Sequence, residues 1–190
     1  DKWLKYVIND FKENNIELHA IVDNSRPTTN KNVITNGTYK LLKLDYIDNR
    51  SISDDIIEEI KSQIHESSVD SIIFSDFRHG IFNSKSIPKL IKAIPENVIK
   101  VADSQVASRW GNILDFKGFD LITPNEREAR FSLGDQDSVI RPLAKILYDK
   151  AECKNMFLKL GEKGILVYRN TYDSSYKRSF FAMDTFAGQV

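Results

Sequence analysis

Asn125 and Glu128 stand three residues apart in the run Leu-Ile-Thr-Pro-Asn-Glu-Arg-Glu-Ala, a spacing that puts both side chains on one face of a helix. Facing a crevice together, they could organise a hydrated Mg2+ and the phosphates it carries, because magnesium keeps several waters and needs few protein ligands. The same residues also make a plain helix start, with Asn125 as N-cap and the glutamates complementing the helix dipole. A second run, Lys159-Leu160-Gly161-Glu162-Lys163-Gly164, places two glycines three apart between apolar stretches. Glycine accepts positive φ, so a turn explains it. A backbone bare of side chains would also let the base and ribose of a nucleotide lie close against the loop.

These residues need a scaffold, and the hydrophobic spacing outlines one. Trp3, Leu4, Val7, Ile8 and Phe11 form one helical face over residues 2–14. Residues 16–22 alternate, a polar stretch covers 23–32, and Asn36-Gly37 separates two β-prone runs at 33–35 and 39–46. Asn-Gly is a strong hairpin signal, since both residues tolerate the positive φ of a type I′ turn, so residues 16–46 read as an antiparallel β unit. From Ser53, as N-cap, Ile56, Ile57, Ile60 and Ile64 form a helical stripe. The apolar run at 71–75 reads as a strand buried on both faces. Helical spacing at Ile87, Leu90, Ile91 and Ile94 then leads to strands at 98–102 and 120–122, helices at 126–133 and 139–150, and a strand at 156–160.

Repeated helix-then-strand units with short links predict an α/β fold, a parallel sheet with helices on both faces, with 165–168 and 177–183 as an antiparallel edge. An open α/β sheet binds ligands outside the carboxyl ends of its strands. Four such ends are polar here: Ser75-Asp76-Phe77-Arg78-His79-Gly80, Asp103-Ser104-Gln105, Thr123 through Glu128, and Gly161 through Gly164.

Composition narrows the partners. The 190 residues carry 27 basic and 27 acidic side chains and no net charge, which leaves no basic excess for nucleic acid or an anionic membrane. Phe180, Phe181 and Phe186 therefore read as core rather than as a base-stacking platform. Cys153 is the single cysteine, so no intrachain disulfide can form and a reducing, cytoplasmic setting fits. His19 and His65 have no second ligand at metal spacing. No run approaches a membrane span and the N-terminus has no signal-peptide pattern. The chain opens on Asp1 without methionine and ends at Val190 just after an apolar stretch, which suggests a piece cut at both ends.

Asn125-Glu126-Arg127-Glu128 after a central strand, followed by the loop from Lys159 to Gly164, resembles the ribokinase-like (PfkB) carbohydrate kinase family, where N-x-x-E precedes a T-L-G-x-x-G nucleotide loop. Lys159 stands where that family often has threonine. More narrowly, Arg26-Pro27-Thr28-Thr29-Asn30-Lys31, the stretch 41–45 and Ser75-Asp76-Phe77 are similar to the heptose-phosphate kinase domain of bifunctional ADP-heptose synthases. The resemblance covers nearly the whole chain. It implies a three-layer fold whose β unit acts as a lid and as a homodimer contact. The implied activity is phosphoryl transfer from ATP, with Mg2+, to a sugar or sugar phosphate of heptose-phosphate type. Asn125, Lys159, Gly161 and Gly164 would bind the nucleotide and Glu128 the metal. Arg26 and Lys31 would sit near an anionic acceptor, arginine offering a fork and lysine a point charge, with solvated loop charge as the alternative. Asp76, Arg78, His79 and Asp103 would line the cleft, a buried cap with a paired charge being the alternative for the residues after the strand.

The chain also departs from that family. Kinases of this kind grip the sugar with a glycine pair and supply an anion hole and a catalytic aspartate from a G-A-G-D segment. Residues 1–190 hold neither a Gly-Gly pair nor G-A-G-D. Asp184-Thr185-Phe186-Ala187-Gly188-Gln189 is superficially similar, but no acid follows Gly188. Residues 1–190 therefore read as a partial kinase domain with its base expected beyond Val190, and as inactive by themselves, because phosphoryl transfer depends on positioning and charge stabilisation. A non-catalytic sugar- or nucleotide-binding or assembly module on the same fold is the alternative.

Overall fold

A computed structural model of the chain describes residues 2–105, 113–169 and 179–185. The opening stripe forms helix α1 (Lys2–Glu13), followed by a hairpin of β1 (Asn30–Asn36) and β2 (Tyr39–Tyr46). Helix α2 (Asp54–Glu66) starts at Ser53, whose side chain accepts from the Ile56 amide. Then come β3 (Ser71–Asp76), α3 (Ser86–Ala93), β4 (Ile99–Ser104), β5 (Leu121–Ile122), α4 (Glu126–Leu133), α5 (Ile140–Ala151), β6 (Asn155–Lys159), β7 (Ile165–Arg169) and β8 (Phe180–Met183).

Among the described residues the main sheet has six strands, in the order β3-β4-β5-β6-β7-β8. β3 to β6 run parallel, whereas β7 and β8 close the other edge antiparallel. This is the α/β fold with helices around a largely parallel sheet, plus a small separate antiparallel pair. Its parallel part sends the carboxyl ends of β3, β4, β5 and β6 to one side of the molecule, so residues far apart in the chain meet there.

The core lies between the sheet and its helices. Phe74 stacks on Phe82 at 5.0 Å between ring centroids and meets Phe119 edge-on at 5.5 Å. Ile57 and Ile64 of α2, Leu90 of α3, Leu143 and Leu147 of α5, and Met156 and Leu158 of β6 complete it. Cys153 is buried, and that burial pushes its thiol up to about 12, so it is a packing residue rather than a nucleophile.

Three local differences from the expectation have physical causes. β3 is not buried on both faces: it is an edge strand, its burial alternates, and Ile73 is 65% exposed on the open side. Residues 16–22 form no strand, because the alternation there meets no pairing partner among the described residues. In the hairpin, Asn36 pairs with Tyr39, leaving Gly37 and Thr38 as the turn, and only Gly37 has positive φ (59°). That is the pattern of a II′ turn rather than I′. A register shift after Ile34 leaves Leu41 as a bulge, so Ile34, Leu42, Leu44 and Tyr46 share one exposed face. Of the expected 177–183 strand, the first two residues lie outside the described residues, as does Phe186.

Candidate functional site

The β5 and β6 ends are joined by backbone. The Lys159 amide donates to the Pro124 carbonyl at 2.8 Å, and Asn125 forms a parallel bridge with Lys159. Directly after this bridge Asn125 caps α4. Its Oδ1 accepts the Glu128 amide at 2.9 Å, while Glu128 Oε2 accepts the Asn125 amide at 2.7 Å. This reciprocal capping box satisfies two donors at the helix start, and it is the plain reading of N-x-x-E made visible. It also fixes both side chains at the rim of a cleft of about 300 Å³, lined by Asp103, Gln105, Asn125, Arg127, Glu128 and Lys159.

Asp103 stands across that cleft at the end of β4. One of its oxygens, Oδ1, accepts from Thr123 Oγ1 at 2.6 Å and from Lys159 Nζ at 2.7 Å. Burial pushes this carboxyl up, but the hydrogen bonds from Lys159 and Thr123 and the lysine's charge outweigh it, and the group sits below the ordinary aspartate value. Among the described residues, no cluster of three or more His, Cys, Asp or Glu could hold a metal outright. Asp103 and Glu128 instead offer two separate carboxylates to one cleft, a donor set that fits a magnesium ion held mainly by water and phosphate oxygen.

Gly161 opens a short 3-10 turn between β6 and β7 and Gly164 follows it, and neither lines this cleft or the larger cavity below. Both have positive φ, 61° and 81°. Their surroundings differ. A Cβ on Gly161 would meet open space, whereas one on Gly164 would lie 2.0 Å from the Met183 carbonyl oxygen. Gly164 is therefore required by the chain leaving β8, and Gly161 only by its own backbone angle. Gly161→Ala is expected to cost about 1–2 kcal/mol and Gly164→Ala clearly more, since the clash adds to the strain. Urea-unfolding midpoints of the two variants check the order.

The second group of residues gathers at the end of β3. Asp76 is buried; its Oδ1 accepts the Arg78 amide at 2.7 Å, and its Oδ2 lies 2.9 Å from Arg78 Nε and accepts Ser104 Oγ at 3.0 Å. Arg78, at φ 59°, also donates from Nη2 to Ser104 Oγ at 2.7 Å. Burial pushes the Asp76 carboxyl up against these donors. The arrangement is the buried cap with a paired charge, and it ties the ends of β3 and β4 together. Arg78 lines neither cavity.

In front of this lock lies a cavity of about 730 Å³, to which Arg26, Lys31, Asp76 and His79 contribute, together with apolar residues such as Ile56 and Phe82. Arg26 does not present an open fork there. Its Nη1 donates to the Arg50 carbonyl at 2.9 Å, its Nη2 to the Ser51 carbonyl at 3.1 Å, and its Nε lies 2.6 Å from Asp23. Lys31, exposed at the start of β1, holds its ammonium 5.7 Å over the Phe77 ring. His79 Nδ1 shares a 3.1 Å hydrogen bond with Thr29 Oγ1, linking the base of the hairpin to the β3 end. Burial, and then the charge of Lys31, hold this histidine below its ordinary value. Gly80 is packed tightly, because a Cβ there would lie 2.0 Å from the Arg50 carbonyl oxygen.

The strand ends thus collect the expected residues into two neighbouring sites: Asp103, Asn125, Glu128 and Lys159 around the smaller cleft, and Arg26, Lys31, Asp76 and His79 around the larger cavity. Thr123, Arg127, Ser104 and Thr29 also take part: the sequence places the first three in polar strand ends and Thr29 in the 26–31 stretch, with no individual role for any of them.

The fold defines a class. The chain overlays on a ribokinase from Giardia lamblia with a TM-score of 0.74, covering all of this chain and 57% of that one at 13% identity. A ribokinase from Thermotoga maritima gives a TM-score of 0.67 over all of this chain and 58% of that one, at 20% identity. Phosphofructokinase-2 from Escherichia coli, in complex with fructose-6-phosphate, gives 0.55 over 75% and 46%, at 14%. The fold is ribokinase-like.

Within that class, the sequence resembles the proteins called Bifunctional protein HldE. It is 26% identical over 156 residues to that of Aliarcobacter butzleri, covering 79% of this chain and 32% of the relative. It is 27% identical over 159 residues to that of Helicobacter hepaticus, covering 80% and 32%. The chain therefore spans about a third of the length of the curated relatives it matches. No protein-family model matches, and among the described residues no helix is long and apolar enough to cross a membrane.

Proposed function

We propose that this chain is part of a cytoplasmic ATP-dependent carbohydrate kinase, transferring a phosphoryl group to a sugar phosphate of heptose-phosphate type. The observation that carries the reading is the junction of Asn125 with Lys159. It brings N-x-x-E and the glycine-containing turn to the same end of the sheet, beside the larger cavity at the end of β3. Similarity to HldE proteins and ribokinase-like structures supports the same class.

On this reading the smaller cleft takes the nucleotide's phosphates. Asn125 and Glu128, locked by the capping box, would face them from the start of α4, and Lys159 would offer a point charge. Bound Mg2+ would supply charge neutralisation at the phosphates, with Glu128 and Asp103 as its carboxylates. The larger cavity takes the acceptor. Lys31 is its available cation, while Arg26 shapes the wall through backbone carbonyls rather than gripping the substrate. Asp76 and Arg78 hold that wall without touching the transfer. The hairpin covers the cavity as a lid, and its exposed face of Ile34, Leu42 and Leu44 would be buried in a homodimer, because a lone two-stranded hairpin is marginal in water. The anion hole and catalytic base would come from sequence outside residues 1–190, without which turnover is expected to be negligible.

The capping box favours a second reading, a nucleotide- or sugar-binding module without turnover, since a cap alone accounts for Asn125 and Glu128. One assay separates them: ADP release by the full-length protein, screened over heptose, hexose and pentose phosphates. The kinase reading expects release that depends on the acceptor and is fastest with a heptose phosphate. ATP binding with no acceptor-dependent release would establish the module.

A further inference from the structure

The ion pair between Lys159 and Asp103 sits at the mouth of the smaller cleft, with side chains 43% and 40% exposed. A pair this exposed contributes only about 0–1 kcal/mol, so little opposes its exchange for a stronger partner. Asp103 does not depend on the lysine alone, since the same oxygen accepts the Thr123 hydroxyl. Arg127, exposed on the same cleft, forms no ion pair among the described residues. Among the described lining residues Asp103 and Glu128 thus balance Arg127 and Lys159, and an entering polyphosphate adds several negative charges to that set. An ammonium makes the same kind of charge-assisted bond to a phosphate oxygen as to a carboxylate, and a polyphosphate brings more negative charge to it than Asp103 does.

We infer that the Lys159–Asp103 pair is a partner-exchange latch for a polyphosphate tail: Lys159 leaves Asp103 for a phosphate oxygen, while Thr123 retains the carboxylate. Arg127 adds attraction from the start of α4. The latch crosses three consecutive strand ends, so its release is felt by β4, β5 and β6 together. The inference rests on the nucleotide reading above, and it makes Lys159 a residue that discriminates by phosphate charge rather than by base or sugar.

Titration calorimetry on the full-length protein in magnesium-free buffer, with adenosine, ADP, ATP and inorganic tripolyphosphate, tests it. Lys159→Met should weaken ATP and tripolyphosphate by about 10–100-fold and leave adenosine unchanged, and Lys159→Arg should restore most of the loss. Asp103→Asn, which removes the competing carboxylate, should tighten both by up to about fivefold. Equal affinity of the wild type and Lys159→Met for tripolyphosphate and ATP overturns the latch and leaves the nucleotide reading standing. Tripolyphosphate binding that depends on Lys159 but gains nothing from the adenosine moiety keeps the latch and overturns the nucleotide. A wild type that binds neither ATP nor tripolyphosphate overturns both.

Discussion

Asp76→Ala is expected to destabilise the protein by about 3 kcal/mol, because it leaves a buried arginine with only the longer pair to Asp115, 3.5 Å away, as counter-charge. Arg78 cannot escape to water easily. Its guanidinium is tied to Ser104 and stands 3.3 Å from the Gln105 carbonyl, and its backbone is already in the left-handed region. Removing the carboxylate also strips the Arg78 amide of its acceptor. For a chain of this size the loss corresponds to roughly 10 °C in Tm, read by thermal or urea unfolding. Asp76→Asn, which keeps an acceptor for the amide, should lose less. A double variant with Arg78→Met should recover part of the loss, since the pair is then absent rather than broken. A drop under about 1 kcal/mol for Asp76→Ala would mean that the pair is solvated and contributes like a surface bridge. The functional consequence is indirect: the lock holds the β3 end, and with it His79 and the wall of the larger cavity.

Much of this arrangement was legible in the chain, and the boundary between what was and was not follows the range of the interactions. Ser53 announces α2 because a cap is read within one turn, and the capping box of Asn125 and Glu128 is equally local. The strand-end positions of Asp76, Asp103 and Lys159 followed from counting helix-and-strand units. Their partners did not. Arg78 reaches Ser104 across 26 positions and Lys159 reaches Asp103 across 56, and nothing in either neighbourhood specifies the other end. The same limit explains β3. An apolar run states that one face is covered, but whether the second face is covered depends on neighbours supplied elsewhere in the chain. It explains Arg26 too, whose type suggests an anion and whose surroundings offer backbone carbonyls of Arg50 and Ser51 instead. The hairpin turn failed for a smaller reason: Asn-Gly signals a turn, but the register that decides which residues occupy its centre depends on the pairing of both strands.

Glu128→Gln separates the two meanings that N-x-x-E carries here. Glutamine retains an oxygen for the Asn125 amide, so the capping box survives and stability should change by less than about 1 kcal/mol. What disappears is the carboxylate charge at the rim of the cleft. If Glu128 helps to organise a magnesium ion and its phosphates, turnover of the full-length protein should fall by about 10–100-fold, and the magnesium concentration for half-maximal rate should rise in step. Asn125→Ala makes the complementary comparison. It removes the cap acceptor, costing about 1 kcal/mol of stability, and should also lower turnover, while Asn125→Asp keeps the cap and the stability. A purely structural pair behaves differently: Glu128→Gln would then leave rate and magnesium requirement untouched, and Asn125→Ala would lose stability alone. Magnesium titration is the decisive readout, because weakened folding lowers the amount of active protein without moving the half-maximal metal concentration, whereas a lost carboxylate moves it even when the protein remains fully folded.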